Sequence, residues 1–446
     1  MATGSKARGI AVTALLRIQE QGGYSHIVIE EFLNGTGARS ADKALIARLI
    51  YGVIERRLTL DYVLNHVSTT PVKRMHPVVR EILRVGTYQL LFMDKTPDFA
   101  AVNESVELTR AMGCAGLTGF VNGVLRSVQQ RGQTMLEALP LTDKGLELRY
   151  SCPRAWIRAW REAYGDDTVA GLLGALNEAP PAYIRVNTCR TTAQRFAARL
   201  TESGVPWQSV AGLPDAMRIM APQALAALPE AQTEYYYQDI ASQWACRALG
   251  AQPGERIADV CAAPGGKSMT VAQDMENTGR IDATDLYAQK CGTITRRAQE
   301  YGLTCIRAEQ ADASLPPPAE RVGQYDRVIC DAPCSGLGVI RRKPEIRYKT
   351  PEDFADLPTL QLQILTQAAA LVRPGGVLQY STCTLRSEEN EQVAAAFLEQ
   401  NPAFSPRLLP MEECFAASGL PVSHQITLFP HIHGSDGFFI AGFVKS

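Results

Sequence analysis

The sequence predicts a multidomain protein with an all-α front, a small α/β middle piece and a doubly wound α/β sheet at the C-terminal end. Apolar residues recur at helical spacing between residues 5 and 131, and no strand-like run interrupts them. From Gln238 onward, strand-like runs alternate with helical stretches, which is typical of a mainly parallel sheet covered by helices. Between these parts, helices at 154–164 and 167–177, a strand at 183–187 and a helix at 191–203 predict the middle piece. The predicted domains are 1–135, 145–237 and 238–446, with a linker near 135–145.

The composition is that of an ordinary globular protein. Of the 446 residues, 46% are hydrophobic and 20% are charged, which excludes a disordered chain. No apolar run reaches membrane-spanning length, and the first ten residues lack the pattern of a secretory signal. We therefore expect a cytoplasmic protein with no membrane partner, and a monomer because the chain shows neither repeats nor a coiled coil.

The cysteines and histidines do not indicate a metal. The 11 cysteines are an odd number without a C-x-x-C pair, which argues against a disulfide framework and a structural zinc site. Only His431 and His433 are spaced like a ligand pair, and no third ligand stands near them. We predict that no metal is bound.

The front of the chain is predicted to be a helical binding module. Residues 1–140 carry 16 basic and 12 acidic side chains, although the whole chain has a net charge of −1. A basic helical face could bind RNA phosphates. A solvated helix surface explains the basic side chains of these helices equally well. After a first helix that ends at Gly22-Gly23, the predicted helices are 25–33, 41–56, 58–67, 77–92, 102–112 and 119–130.

A glycine turn at 259–268, with the sequence Asp-Val-Cys-Ala-Ala-Pro-Gly-Gly-Lys-Ser, organises the C-terminal part. A strand-like run ends there, and a helix is expected to begin near Lys267, so that unpaired N–H groups and a close-approaching backbone face a ligand. Asp285 follows Gly265 by the twenty residues usual for a carboxylate that binds ribose hydroxyls. Because Gly-x-Gly-x-x-Gly is absent, S-adenosylmethionine is favoured over a dinucleotide.

Four carboxylates are predicted to line one edge of this sheet. They are Asp259, Asp285, Asp312 and Asp331, each at or just after the end of a predicted strand. Ligands of doubly wound sheets bind at the carboxyl ends of the strands, so the four indicate an adenosine pocket. We expect Asp285 on the ribose and Asp312 near the adenine.

Two cysteines are predicted to face the same pocket. Cys334 follows Asp331 in Asp-Ala-Pro-Cys-Ser-Gly, and Cys383 ends the strand Tyr-Ser-Thr-Cys. A thiolate can add to carbon 6 of a pyrimidine, which makes carbon 5 able to take a methyl group from a sulfonium. Asp331 could then hydrogen-bond nitrogen 3 of the ring. Lys267 could help to keep a nearby thiol ionised.

Other interpretations of these residues are possible. A single free cysteine is usually a small buried side chain, and it is the shared edge that favours chemistry here. Arg341, Arg342 and Lys343 follow Cys334 and are predicted to bind the RNA backbone, although a solvated loop would show the same charges. An amino-group or protein methyltransferase would not need two thiols.

At these motifs the chain resembles the RNA 5-methylcytosine methyltransferases, and its helical front is similar to that of the RsmB (Sun) type, which methylates small-subunit ribosomal RNA. The resemblance rests on the stretches 259–267, 331–334, 381–383 and 436–439, together with 51–55, 84–90 and 120–126 in the front. It implies an all-α NusB-like N-terminal domain, an RRM-like middle domain and a Rossmann-like class I methyltransferase domain. Small α/β sheets of this sort often bind single-stranded RNA, so we expect the middle domain to bind RNA, although Arg185 and the tyrosines at 235–237 could equally be structural.

The resemblance also implies the roles of the site residues. Cys383 would be the nucleophile, and Cys334 would assist product release. Asp331 would bridge cofactor and base. S-adenosylmethionine would be bound by Cys261, Ala262, Ala263, Pro264, Gly265, Gly266, Lys267, Asp285, Asp312 and Asp331. The implied substrate is a cytosine of ribosomal RNA; the same chemistry on transfer RNA and a non-catalytic RNA-binding assembly factor are the alternatives.

Overall fold

A computed structural model describes residues 3–21, 28–29, 31–33, 40–94, 96–228 and 232–446. The chain forms two compact units. The first, a helical unit, contains residues 1–177 and 342–350; the second, an α/β unit, contains residues 178–341 and 351–446. None of the described helices is long and apolar enough to cross a membrane.

The helical unit is built around amphipathic helices that bury one apolar face each. Ile50, Leu83 and Leu125 come from three different helices and are fully buried in one core. Local signals fix several ends: Pro77 occupies the first turn of its helix, and the hydroxyl of Thr142 caps the next-to-last helix by accepting from the N–H of Gly145. The helices are α1 (Thr3–Gln21), α2 (Ser40–Glu55), α3 (Arg57–Val67), α4 (Pro77–Phe92), α5 (Asp98–Ala111), α6 (Thr118–Glu137), α7 (Asp143–Tyr150) and α8 (Arg154–Ala175).

The segment 342–350 comes from the C-terminal half of the sequence but belongs to the helical unit. Arg347 is fully buried, and its guanidinium donates to the carbonyl oxygens of Glu55 (3.1 Å), Tyr150 (3.4 Å) and Leu176 (3.2 Å). These carbonyls lie at or just after the C-terminal ends of α2, α7 and α8, where no helical N–H is left to pair with them. A single cation therefore satisfies the ends of three helices and lies where their dipoles favour positive charge.

A four-stranded antiparallel sheet begins the α/β unit. Its order is β2-β3-β1-β4, and one face carries a core that includes Ile184, Phe196 and Met217. The buried Arg185 donates to Asp274 (2.6 Å), which favours the structural explanation of this arginine over RNA contact. The elements are β1 (Ala182–Val186), α9 (Ala193–Glu202), β2 (Trp207–Val210), β3 (Leu213–Ile219), α10 (Pro222–Ala226) and β4 (Tyr235–Tyr237).

The large sheet has the order β10-β12-β9-β8-β5-β6-β7, with β11 paired to β12. The central pairs from β9 to β7 are parallel, and β12 joins β9 as an antiparallel strand. The strands are β5 (Arg256–Asp259), β6 (Arg280–Asp285), β7 (Ile306–Gln310), β8 (Tyr325–Asp331), β9 (Val372–Thr382), β10 (Phe404–Pro406), β11 (Gln425–Leu428) and β12 (Phe438–Lys445). The helices are α11 (Ile240–Leu249), α12 (Gly266–Asp274), α13 (Ala288–Tyr301), α14 (Leu357–Leu371), α15 (Glu391–Gln400), α16 (Glu412–Ser418) and α17 (Pro430–His433).

The predicted fold class is confirmed, and two local expectations differ. The stretch 135–145 holds the end of α6 and the start of α7. The two helices expected at 154–164 and 167–177 are joined as α8 across a kink at Gly165, whose φ of 81° suits glycine. The helix expected at 25–33 lies partly outside the described residues.

The buried Arg347 makes a stability prediction possible. Arg347→Ala removes the donor that serves three helix ends, and we expect the free energy of unfolding to fall by about 3 kcal/mol because buried carbonyls lose their partners. Arg158→Ala is the control: its side chain is 66% exposed and pairs with Asp143 at the surface, so the loss should stay below about 1 kcal/mol. Urea unfolding with hydrogen exchange of α2 and α8 measures both variants. Equal small losses would contradict this account.

Candidate active site

The candidate site lies along the carboxyl edge of the parallel strands. The chain runs outward from β5 through β6 to β7 and then returns to the other side of β5 for β8 and β9. This reversal makes the gap between β5 and β8 a topological switch point, where ligands of such sheets bind. The strand ends occur in the order Cys383, Asp331, Asp259, Asp285 and Asp312 across the edge.

The glycine turn adopts the backbone that the sequence predicts. Gly265 has a φ of 94°, and Gly266 begins α12. A Cβ on Gly265 would lie 3.3 Å from the side chain of Ile294, so glycine suits both the conformation and the space. The first turn of α12 thus faces the switch point with N–H groups that have no helical acceptor.

The three carboxylates on the β5–β7 side have different surroundings. Asp285 is buried and accepts hydrogen bonds from the backbone N–H groups of Ala263 (3.3 Å) and Tyr287 (3.2 Å), which fixes it beside the glycine turn. Asp259 accepts from the Ser268 hydroxyl (2.6 Å), and burial raises its pKa to about 7. Asp312 is exposed, and the hydroxyl and N–H of Ser314 lower the pKa of its carboxyl.

Asp331 joins the two halves of the edge. It accepts from Lys267 Nζ (2.6 Å) with one carboxylate oxygen and from Ser381 Oγ (2.8 Å) with the other. Burial lowers the pKa of Lys267, but the charge and hydrogen bond of Asp331 outweigh it and the pKa is raised. Lys267 is therefore committed to Asp331, and the structure gives no support to the expectation that it ionises a thiol.

The two predicted thiols meet at this edge. The Sγ atoms of Cys334 and Cys383 lie 3.3 Å apart, within hydrogen-bond distance for sulfur. The hydrogen bond to Cys383 and burial raise the pKa of Cys334 well above its usual value. The proton of Cys334 is therefore harder to remove than that of an ordinary thiol.

Close backbone contacts hold the loops that carry the thiols. The N–H of Gly338 donates to the Cys383 carbonyl (3.0 Å), and the N–H of Gly437 donates to the Gly338 carbonyl (2.9 Å). A Cβ on Gly338 would lie 1.9 Å from the Gly437 oxygen, so the three segments fit only with glycine there.

The predicted basic cluster is divided by the structure. Arg341 is buried, and its guanidinium donates to the carbonyl of Ser435 and lies 3.5 Å from Asp436. The prediction that Arg341 binds the RNA backbone is therefore not supported, because its charge is used to fix the turn before β12. Arg342 and Lys343 are partly exposed and begin the segment that belongs to the helical unit, and their RNA contact stays a prediction.

The buried Glu389 next to the Cys334 loop is a site residue that the sequence did not single out. Glu389 is fully buried; it accepts from the N–H of Ser335 (2.9 Å) and from Gln361 Nε2 (2.9 Å). It lies in the run Ser387-Glu-Glu-Asn-Glu391, which looks like a solvated start of a helix. Its position six residues after Cys383 was the one available signal.

Three family models match separate parts of the chain. A family model described as 16S rRNA methyltransferase RsmB/F matches residues 246–444. The NusB family model matches residues 5–130, and a model of the ferredoxin-like domain of RsmF/B-like methyltransferases matches residues 152–226.

Curated relatives match over almost the full length. The probable ribosomal RNA small subunit methyltransferase B of Bacillus subtilis is 34% identical over 444 residues, which is 99% of each chain. Ribosomal RNA small subunit methyltransferase B of Klebsiella pneumoniae is 31% identical over 98% of each chain. The crystal structure of PH0851 superposes with a TM-score of 0.80 at 24% identity and covers 98% of this chain and 99% of that one. A methyltransferase homolog from Pyrococcus horikoshii has 26% identity and a TM-score of 0.58, over 69% of this chain and all of that one.

The contact between Gly338 and Gly437 can be tested directly. Gly338→Ala forces a Cβ against backbone, so we expect the α/β unit to lose about 3 kcal/mol or to unfold. Gly292→Ala in α13 is the matched control, because a Cβ there meets no atom within 4 Å and alanine favours a helix. Thermal unfolding measured by circular dichroism would contradict the account if the two variants were equally stable.

Proposed function

Because the chain belongs to the family of ribosomal RNA small subunit methyltransferase B, we propose that it methylates carbon 5 of a cytosine in small-subunit (16S) ribosomal RNA through a covalent cysteine adduct. The observation that carries the proposal is the pair of thiols 3.3 Å apart at the carboxyl edge. Methyl transfer to an exocyclic nitrogen needs carbonyl or amide oxygens that accept hydrogen bonds from that nitrogen. Methyl transfer to an electron-poor ring carbon needs a nucleophile from the enzyme.

The cofactor of this family is S-adenosylmethionine, which supplies a methyl group on a sulfonium when bound. The residues of the β5–β7 side fit such a group. Asp285 presents a fixed, buried carboxylate suited to ribose hydroxyls, and the half-exposed Leu286 beside it offers an apolar contact for a base. The remaining predicted contacts are the turn 261–267, Asp312 and Asp331, and these assignments are part of the proposal.

Cys383 is proposed as the nucleophile. Its Sγ forms a bond to carbon 6 of the cytosine, and the electron pair of the 5,6 double bond moves toward carbon 5, which takes the methyl group. A base then removes the carbon-5 proton, the double bond forms again, and Cys383 leaves as a thiolate. A thiol of Cys334 that still carries its proton hydrogen-bonds the departing sulfur, which explains a role in product release.

Asp331 is proposed to orient the base. Its carboxylate is fixed by Lys267 and Ser381. It stands at the end of β8, beside the end of β9, and the two thiol loops start from these two strand ends. The ammonium of Lys267 compensates the negative charge of Asp331 in this partly buried place. A fixed carboxylate of this kind can accept a hydrogen bond at nitrogen 3 when that nitrogen is protonated in the adduct.

Two cysteine variants test the covalent mechanism on small-subunit ribosomal RNA with labelled S-adenosylmethionine. Cys383→Ser should abolish both 5-methylcytosine and the denaturation-resistant protein–RNA adduct, because no sulfur can attack. Cys334→Ser should accumulate the adduct and release product at least tenfold more slowly, because the leaving sulfur loses its hydrogen-bond donor. Nucleoside analysis and denaturing gels measure these outcomes.

The exposed Cys189 gives a matched control, since Cys189→Ser removes a thiol of the same unit and should keep full activity. Full activity of both site variants would overturn the thiol mechanism. If the wild type methylates transfer RNA but not ribosomal RNA, transfer RNA is the substrate. If it binds ribosomal RNA without methylating it, the protein is an assembly factor.

A further inference from the structure

Glu389 places a negative charge behind one of the two thiols. It is completely buried, and its Oε2 accepts from the N–H of Ser335, the residue after Cys334. The same oxygen accepts from Gln361 of α14, and Gln361 also donates to the carbonyl of Pro333 (2.9 Å). Both neighbours of Cys334 in the chain are thus fixed by the carboxylate or by its partner.

The same network fixes Cys334 relative to Cys383. Glu389 follows Cys383 in the loop between β9 and α15, so its bond to Ser335 joins the two thiol loops. The hydroxyls of Ser335 and Thr384 lie 2.7 Å apart and form a second link, and Gly338 provides a third through the Cys383 carbonyl. The distance of 3.3 Å between the sulfurs is therefore set by several buried hydrogen bonds.

Two thiols at this distance titrate as a pair that holds one proton at intermediate pH. The charges around the pair decide which sulfur keeps it. Glu389 acts on Cys334 from the loop before α15, and Tyr380 of β9 lies near Cys334. Arg386 donates to Glu389 Oε1 (3.3 Å) and so partly compensates its charge. A thiolate on Cys334 would add a second negative charge next to Glu389.

We propose that Glu389 is a positioning residue that assigns the shared proton to Cys334 and thereby leaves Cys383 to be the nucleophile. This inference rests on the proposed two-thiol mechanism and explains its division of roles. Cys383 loses its proton first, and the S–H of Cys334 donates a hydrogen bond to the resulting thiolate. No atom of Glu389 contacts the substrate, and its effect is exerted through Ser335 and through its charge.

The test measures the reactivity of each thiol in the full chain without RNA. Under single-hit conditions, iodoacetamide alkylation is followed against pH, and peptide mass spectrometry assigns it to Cys334 or Cys383. In the wild type, Cys383 should react at lower pH than Cys334. Glu389→Gln keeps the shape of the side chain but removes its charge. Alkylation of Cys334 at pH 8 should therefore become about tenfold faster, which corresponds to a pKa of Cys334 lower by about one.

A second variant has the opposite expected sign. Arg386→Gln removes the compensating cation, so alkylation of Cys334 should be slower than in the wild type by a factor of about three or more. A loosened loop would instead make Cys334 react faster in both variants. Glu391→Gln is the matched control, because Glu391 is bonded to Thr427 (2.7 Å) instead of the thiol loops. It should match the wild type.

The outcomes separate this inference from the proposed function. If Glu389→Gln leaves the alkylation profile of Cys334 unchanged, or if Arg386→Gln speeds alkylation as well, the inference is wrong whatever the RNA substrate is. If the wild type fails to methylate ribosomal RNA while the alkylation results hold, only the proposed function is wrong.

Discussion

The parallel pairing of β8 with β9 is the constraint on which the candidate site depends. Its register sets Asp331 opposite Ser381, so that Cys334 and Cys383 leave the sheet three and two residues later at the same edge. A shift of the register would carry one thiol loop away from the other. The antiparallel strand β12 pairs with the other edge of β9, where Ile440 lies opposite Ser381. The turn before β12 contacts Gly338 through the N–H of Gly437.

Three ion pairs at this edge join buried or partly buried charges. Lys267 compensates Asp331, Arg386 compensates Glu389, and Arg341 lies beside Asp436. Burying these groups would otherwise cost several kcal/mol each. The two sulfurs lie 3.3 Å from each other, so the order in which they ionise matters for the mechanism.

The sequence was sufficient for the architecture and for the residues at the strand ends. Alternating strands and helices, the glycine turn and the acids at the strand ends are local patterns, and they predicted the edge correctly because parallel strands end together. It was not sufficient for contacts between distant segments. The burial of Arg341 and Arg347 and the bond between Glu389 and Ser335 depend on loops brought together by the fold, and a charged residue in a loop is more often solvated.

The central claim is that the sulfur of Cys383 attacks carbon 6 of a cytosine. Ribosomal RNA that contains 5-fluorocytidine tests it most directly, because a fluorine at carbon 5 cannot be removed as a proton and the adduct cannot break down. Incubation with S-adenosylmethionine, nuclease digestion and peptide sequencing identify the attached residue. The account predicts a fluorocytidine adduct that also carries the transferred methyl group on the peptide that contains Cys383. An adduct on Cys334, or methylation of normal RNA without any trapped adduct, would contradict it.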